Sequence, residues 1–216
     1  MPLLLCDLDD TVLSRRDTFL EWAASYLHER GLPAEDLEWM VAADDDGYTP
    51  RPELFASIAA RYGIVGGPDL VGEHYYGDFL RRFACAADVA DALSRARGAG
   101  FKLAIVTNGD QRAQEGKISA AGLGGLFDAV CISGVEGWTK PAREIFELAA
   151  TRCAEELAGA WMIGDHPEND IGGAVACGVR TVWIRHGRAW PGELGFAPDH
   201  EADGFAEAVD LVLARR

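Results

Sequence analysis

Short apolar runs alternate along most of the chain with longer stretches that repeat apolar residues every three to four positions. Runs of four to six apolar residues that end in a polar residue or glycine have the pattern of buried strands, and the longer stretches have that of helices. The predicted strands are Leu3–Cys6, Phe101–Val106, Ala129–Ile132, Ala160–Ile163 and Val179–Ile184, and the predicted helices between and after them are Ala87–Ala99, Gln111–Ala121, Ala142–Ala154, Asn169–Cys177 and Gly204–Ala214.

This alternation predicts an α/β fold, with a Rossmann-like parallel sheet, helices on both faces and a ligand site at the carboxyl ends of the strands. Residues 14–83 break it, because they offer helical stretches and no convincing strand. We therefore predict a Rossmann-like catalytic core of residues 1–13 and 84–216, with an inserted helical cap of residues 14–83. The predicted cap helices are Asp17–Arg30, Pro33–Ala43, Pro52–Tyr62 and Pro68–Arg82.

Composition narrows the classes of partner. The chain has 216 residues, 49% of them hydrophobic and 25% charged, and a formal net charge of -15. So negative a protein repels nucleic acid and anionic membranes, whereas a small phosphorylated metabolite needs only a local cationic centre. The apolar run at the N-terminus is far shorter than the roughly 20 residues of a membrane span, and five scattered cysteines form no C-x-x-C pair. We expect a cytoplasmic protein with reduced cysteines, as a monomer or homodimer.

Acidic residues follow two of the predicted strands. Asp7 and Asp9, two positions apart after the first strand, can converge on one point beyond the sheet edge. Asp165 and Asp170 follow the fourth predicted strand, where a helix begins. Carboxylates this close repel one another unless a cation lies among them, and oxygen-rich sites of this kind suit Mg²⁺. A solvated acidic loop is the alternative for the first pair, and amide capping at a helix start is the alternative for Asp170.

Two further residue pairs stand at predicted loop positions. Thr107 and Asn108 end the second strand, and Lys140 precedes Pro141 just before a helix. A threonine hydroxyl with the backbone amides that follow it can hold phosphate oxygens, and a lysine among carboxylates can neutralise charge that collects during phosphoryl transfer. A surface lysine before a helix-initiating proline is otherwise common.

Together these residues resemble the four motifs of the haloacid dehalogenase superfamily, in the same order and each at a predicted strand end. The family pattern is D-x-D-x-T, then a strand-terminal Ser or Thr, then Lys, then an acidic pair such as G-D-x-x-x-x-D. The match frames the chain from residue 5 to about residue 184. The matching residues are Asp7, Asp9, Thr11, Thr107, Lys140, Asp165 and Asp170.

The resemblance implies a capped phosphatase with a defined set of roles. Asp7 would attack phosphorus and become an aspartyl phosphate, while Asp9 would act as the general acid and base. Thr107, Asn108 and Lys140 would bind the transferring phosphoryl group. Mg²⁺ would be the cofactor, and its ligands would be Asp7, the backbone carbonyl of Asp9, Asp165 and Asp170.

Two features separate the branches of that superfamily. An acid at position 9 favours phosphate, because the dehalogenases need no leaving-group acid there. Residues 14–83 contain no lysine, which argues against the phosphonatases, since these bring a cap lysine to the metal. Substrate selection would depend on cap residues, with Arg51 as the predicted contact; the other candidates are Arg15, Arg16, Asp45, Tyr48, His74, Tyr75 and Arg81.

Alternative functions remain for the same residues. A phosphomutase would use Asp7 but return the phosphoryl group to a bound sugar, which requires a cap that excludes water. A non-catalytic binding or regulatory relative would be expected to have lost one of the acidic residues. A P-loop enzyme is disfavoured, because no G-x-x-x-x-G-K-[ST] occurs.

Overall fold

The computed structural model describes residues 1–215. Its strands are β1 (Leu3–Cys6), β2 (Lys102–Thr107), β3 (Ala129–Ile132), β4 (Trp161–Gly164), β5 (Arg180–Ile184) and β6 (His200–Ala202). Its α-helices are α1 (Arg15–Glu29), α2 (Leu37–Asp44), α3 (Arg51–Tyr62), α4 (Gly67–Asp78), α5 (Ala87–Gly98), α6 (Gln111–Ala120), α7 (Ser133–Glu136), α8 (Arg143–Arg152), α9 (Gly173–Ala176) and α10 (Phe205–Leu213). Short 3₁₀ turns cover Ala34–Asp36, Asp45–Gly47, Phe79–Arg82 and Leu123–Gly125, and Pro167–Gly172 is a wider π-helical turn.

The strands described within residues 1–215 form one parallel sheet in the order β3-β2-β1-β4-β5-β6. The chain runs from β1 outward through β2 to β3, and β4 then pairs with the opposite edge of β1. Loops diverge where the strand order reverses in this way, and a crevice forms there at the carboxyl ends of the strands. The predicted α/β class is therefore confirmed, and the ends of β1, β2 and β4 are neighbours.

Both faces of the central strand are buried. Leu3 and Leu5 point to one side, where they join a cluster that includes Ile145 and Phe146 of α8. Leu4 alternates with them and is fully buried as well. Helix α10 lies outside that cluster and packs against α5, β4, β5 and β6. This two-sided burial explains why the parallel strands appear in the sequence as continuous apolar runs.

Strand β6 was not among the strands expected from the sequence. It is three residues long and pairs in parallel with β5. So short a segment carries no readable alternation, and its pairing with β5 decides its conformation. The predicted helix Asn169–Cys177 is likewise replaced by the π-helical turn followed by α9.

The chain divides into two compact units, one formed by Met1–Leu13 with the chain from Ala84 onward, and the other by Ser14–Phe83. We call these the core unit and the helical unit. The helical unit contains α1 to α4 and is built around Trp22, which is fully buried. The rings of Phe19, Tyr26 and Tyr75 lie 5.2 to 5.4 Å from that of Trp22. No helix within residues 1–215 is both long and apolar enough to cross a membrane.

A buried ion cluster ties α1, α2 and α3 together. Both oxygens of Asp44 accept hydrogen bonds from Arg15, at 2.7 and 2.6 Å, and Arg51 donates to the same carboxylate at 2.8 Å. Arg15 and Asp44 are only 4% and 2% exposed. Removing one partner from such a cluster leaves a buried charge without compensation, which costs far more than the intact pair contributes.

We expect Asp44→Ala to lower the free energy of unfolding by about 3–5 kcal/mol, because two arginines would keep their burial and lose their counter-ion. Urea unfolding followed by circular dichroism measures this. Arg16→Ala is the control: it breaks the exposed pair of Arg16 and Asp46, which are 47% and 52% exposed, and should cost less than about 1 kcal/mol. Equal losses for the two variants would contradict the prediction.

Candidate active site

The side chain of Asp7 lies at the carboxyl end of β1, in the centre of the sheet. Its backbone N–H donates to the carbonyl of Ile163 in β4 at 3.0 Å, which extends the strand pairing by one residue. The carboxylate is 7% exposed. Asp7 is therefore fixed by the sheet itself, and only its carboxylate extends beyond the strand ends.

Lys140 joins the first acidic motif to the last. Its Nζ donates to Oδ1 of Asp7 and to Oδ1 of Asp170, both at 2.6 Å. Burial lowers the pKa of Lys140, but the adjacent Asp170 and Asp7 carboxylates outweigh it and raise the pKa above its usual value. Lys140 is thus a buried ammonium ion held between two carboxylates.

Asn108 fixes the backbone from which Lys140 extends. Its Oδ1 accepts from the N–H of Lys140 at 2.8 Å, and its Nδ2 donates to the carbonyl of Lys140 at 3.0 Å. The sequence suggested Asn108 for its backbone amide, as a phosphate contact. The structure adds that its side chain locks the lysine loop against the end of β2.

Three carboxylates come together at the strand ends. Asp7, Asp165 and Asp170 each have one oxygen within 4.8 Å of the others. Asp170 is buried, and its Oδ2 accepts from the N–H of His166 at 2.9 Å. Gly164 makes this approach possible, because a Cβ atom at that position would overlap the Asp170 side chain.

The electrostatics of this group favour a cation. Burial raises the pKa of Asp7 to about 7; Lys140 opposes the rise and Asp170 adds to it. Burial and the neighbouring Asp170 and Asp7 carboxylates raise the pKa of Asp165 to about 8. The Lys140 ammonium and the Arg188 guanidinium face three carboxylates, so the ionised site keeps excess negative charge. A hard divalent cation fits this all-oxygen donor set and would relieve the repulsion.

Trp183 in β5 and Arg188 just after β5 hold Asp165 in place, and the sequence did not single them out for this. The indole of Trp183 donates to the carbonyl of Asp165 at 2.8 Å. Arg188 donates to the same carbonyl at 2.8 Å and to the carboxylate at 3.1 Å. Trp183 is buried, and it also anchors the loop that carries the acid.

His166 caps the π-helical turn between Asp165 and Asp170. Its Nδ1 accepts from the backbone N–H groups of Glu168 and Asn169, at 3.2 and 3.1 Å. Burial lowers the pKa of His166. Because Nδ1 accepts both hydrogen bonds, a neutral ring carries its proton on Nε2. The structure therefore gives His166 a capping contact at the start of this turn.

Asp9 and Thr107 meet through two residues of α6 that the sequence reasoning missed. Lys117 donates to both carboxylate oxygens of Asp9, at 2.8 and 2.7 Å. Gln114 donates to Asp9 at 3.1 Å and to the hydroxyl of Thr107 at 2.6 Å. The available signal was the helix pattern, in which both residues fall on the face that Ala113 and Ile118 bury.

The predicted substrate residue Arg51 lies in the helical unit and has several partners there. Besides Asp44, its guanidinium donates to the carbonyls of Gly47 and Thr49, at 3.0 and 2.7 Å, and to the Tyr75 hydroxyl at 3.2 Å. These contacts make it a structural residue of the helical unit. Its contact with substrate stays a prediction, as do those of the other cap candidates.

Most of this chain matches the model of one known protein family. The model of the haloacid dehalogenase-like hydrolases matches residues 1–178. The chain belongs to this family. The expected resemblance is thereby confirmed, and the protein is a hydrolase.

Curated relatives of this family member are named phosphatases. A glyceraldehyde 3-phosphate phosphatase of Methanopyrus kandleri is 34% identical over 168 residues, which are 75% of this chain and 72% of that protein. A glyceraldehyde 3-phosphate phosphatase of Pyrococcus abyssi is 29% identical over 87% of this chain and 83% of that protein. A phosphoserine phosphatase of Thermus thermophilus is 37% identical over 107 residues, 50% of this chain, and the match spans only 43% of that relative.

Solved structures of the same architecture cover nearly the whole chain. A putative β-phosphoglucomutase from Thermotoga maritima has a TM-score of 0.79 at 18% identity, covering 98% of each chain. The putative HAD-hydrolase YfnB from Bacillus subtilis, solved bound to magnesium, has a TM-score of 0.77 at 20% identity, again covering 98% of each. At these identities the likeness shows that the haloacid dehalogenase-like fold is shared.

Proposed function

We propose that this family member is a Mg²⁺-dependent phosphatase that hydrolyses phosphate monoesters of small molecules through a phosphorylated Asp7. The observation that carries the proposal is the buried Asp7–Lys140–Asp170 chain of contacts beside Asp165, at the carboxyl ends of the central strands. Relatives named for the hydrolysis of glyceraldehyde 3-phosphate and phosphoserine support the substrate class.

The reaction has two steps that use the same pair of aspartates. In the first, a carboxylate oxygen of Asp7 forms a bond to phosphorus while the bond to the leaving oxygen breaks, and Asp9 donates a proton to that oxygen. In the second, Asp9 takes a proton from water, the water oxygen attacks phosphorus, and the bond to Asp7 breaks. Inorganic phosphate leaves, and both carboxyl groups return to their starting forms.

Lys140 and Thr107 act on the charge of the transferring group. The ammonium of Lys140 orients Asp7 through Oδ1 and offsets negative charge that accumulates on the phosphoryl oxygens. The hydroxyl of Thr107 accepts a hydrogen bond from Gln114, so its own proton can be donated to a phosphoryl oxygen. The backbone amide of Asn108 is the expected third donor.

Asp7, Asp165 and Asp170 would hold the Mg²⁺ ion, together with the backbone carbonyl of Asp9. When bound, the ion supplies positive charge for the phosphoryl oxygens and for the carboxylates that surround it. Asp170 already has Lys140 and the His166 amide as partners. It would therefore ligate through a remaining lone pair or through a water molecule.

Release of inorganic phosphate from p-nitrophenyl phosphate and from a panel of metabolite phosphates, with Mg²⁺ and with EDTA, tests the proposal. We expect release that Mg²⁺ supports and EDTA abolishes, because without the cation the three carboxylates would repel the substrate's phosphate group. The panel should include glyceraldehyde 3-phosphate and phosphoserine. Conversion of a sugar phosphate to its isomer without phosphate release would favour the phosphomutase alternative. If folded, metal-bound protein released no phosphate from any substrate of the panel, the proposal of a general phosphatase would be contradicted.

A further inference from the structure

Two polar side chains of α6 are buried against the ends of β1 and β2. Gln114 and Lys117 are 1% and 4% exposed. They stand three residues apart in the helix, so both extend from the same side of it. Long polar side chains are seldom buried so completely unless specific partners receive them. Here the partners are Asp9 and Thr107, which belong to the proposed catalytic set.

Lys117 fixes the rotation of the Asp9 carboxylate. Its Nζ contacts both oxygens, at 2.8 and 2.7 Å, and the lysine side chain is almost fully enclosed. A single contact would leave the carboxylate able to turn about its Cβ–Cγ bond. Contact with both oxygens holds the carboxylate plane, and the charge on the lysine strengthens both hydrogen bonds.

Gln114 links Asp9 to the phosphate-binding end of β2. Its Nε2 lies 3.1 Å from Oδ2 of Asp9, 2.6 Å from Oγ1 of Thr107 and 3.1 Å from the carbonyl of Asn108. The carbonyl of Asn108 can only accept a hydrogen bond, so the amide nitrogen of Gln114 must face it and the amide oxygen would be repelled. One side chain thus sets the positions of two groups that act on the substrate.

The turn before α6 is built to place these side chains. Gly109 has φ +147°, and a Cβ atom there would meet the Gln114 side chain at 3.0 Å. Asp110 caps the helix by accepting from the N–H of Ala113 at 2.9 Å. Gly109 thus leaves space for the Gln114 side chain, and Asp110 fixes where the helix begins.

We propose that Lys117 and Gln114 are positioning residues for catalysis, which hold Asp9 and Thr107 at a set distance and orientation beneath the substrate. The inference rests on the proposed phosphatase function and deepens it. A general acid must reach the leaving oxygen within hydrogen-bonding distance, and displacement by about 1 Å can lower a rate on the order of a hundredfold. Lys117 therefore acts on the reaction through Asp9.

Replacing Lys117 should lower kcat/KM most for substrates whose leaving group depends most on protonation by a general acid. Phenyl phosphate has a poorer leaving group than p-nitrophenyl phosphate, and kcat/KM reports the step in which that group departs. For Lys117→Met at saturating Mg²⁺, we expect kcat/KM to fall about tenfold or more with phenyl phosphate, and less than about threefold with p-nitrophenyl phosphate. Lys117→Gln should give the same contrast and serves if the methionine variant does not fold.

A double-mutant cycle tests whether Lys117 works through Asp9. In an Asp9→Asn background, Lys117→Met should change kcat/KM for phenyl phosphate by less than about twofold, because the group it positions is already lost. The matched control is Lys102→Met at the start of β2. It breaks the ion pair in which Nζ of Lys102 lies 2.7 Å from Oδ1 of Asp128. The control should keep the wild-type ratio between the two substrates.

Each alternative result has a distinct meaning. Equal losses with both substrates, unchanged rates, or full additivity with Asp9→Asn would overturn the positioning role while leaving the phosphatase proposal intact. A gain in kcat/KM would also overturn it, because the contact would then restrain Asp9 from acting. A wild-type protein that hydrolyses neither aryl phosphate, nor any substrate of the panel, would overturn the proposed function and this inference together.

Discussion

Asp7→Asn is expected to lower kcat by on the order of a thousandfold or more with every substrate that the wild-type protein hydrolyses. The amide cannot form the phosphorylated intermediate, and the contacts of Lys140 and Asp170 cannot substitute for the missing nucleophile. The fold should survive, because the backbone of Asp7 keeps its bond to Ile163 and the side chain changes little in volume. Steady-state phosphate release and thermal unfolding measure the two effects separately.

The matched control for this variant is Asp210→Asn. Asp210 is an exposed residue of α10 whose carboxylate pairs with Arg95 at 2.9 Å, on the same core unit and without a contact to the site. It should leave kcat unchanged. Asp7→Ala should reproduce the loss seen with asparagine. If either Asp7 variant kept more than about a tenth of the wild-type kcat, the nucleophile assignment would be wrong.

Asp165→Asn is expected to raise the Mg²⁺ concentration for half-maximal activity by at least about tenfold. Replacing a residue that only orients a metal ligand already lowers metal affinity by about that much. The variant removes one negative charge from a site where burial and two neighbouring carboxylates already raise the pKa of Asp165 to about 8. We therefore expect the metal-free variant to be at least as stable as the wild type, while its affinity for the cation falls.

Two readouts separate metal affinity from turnover. The rise in Tm on adding Mg²⁺ reports binding without any substrate, and phosphate release at increasing Mg²⁺ reports activity. Glu168→Gln is the control, because it removes the same charge from an exposed residue of the same loop that lies outside the acidic group. An Mg²⁺ titration of Asp165→Asn that matched this control would show that the ligand is misassigned.

The strands and the main acidic residues could be predicted from the sequence, because their signals are local. A strand buried on both faces must be continuously apolar, so β1 and β4 are visible as runs that end abruptly in Asp7 and just before Asp165. Lys140 was harder, since a lysine before proline is ordinary in sequence. Its role depends on contacts with Asp7, 133 residues away, and with Asp170, 30 residues away.

Arg51 and Lys117 show what local patterns leave open. Arg51 is a predicted substrate contact, and the structure adds its contacts with Asp44 and Tyr75 within the helical unit. Lys117 was not singled out from the sequence, yet it is buried against Asp9, 108 residues away. Helical spacing places it on the face of Ala113 and Ile118, but does not state which distant residue that face contacts.

The sequence by itself determined the α/β class, the helical insertion pattern and the order of acidic, hydroxyl and lysine residues at strand ends, because strand burial and helical periodicity are written in neighbouring positions. The tertiary structure alone decided which groups meet. It brought Asp7, Asp165 and Asp170 together with Lys140. It also placed Gln114 in hydrogen-bonding contact with Thr107, and Lys117 in contact with Asp9. Such contacts depend on the order of strands in the sheet and on how each helix packs, and these are long-range properties that no short stretch of sequence contains.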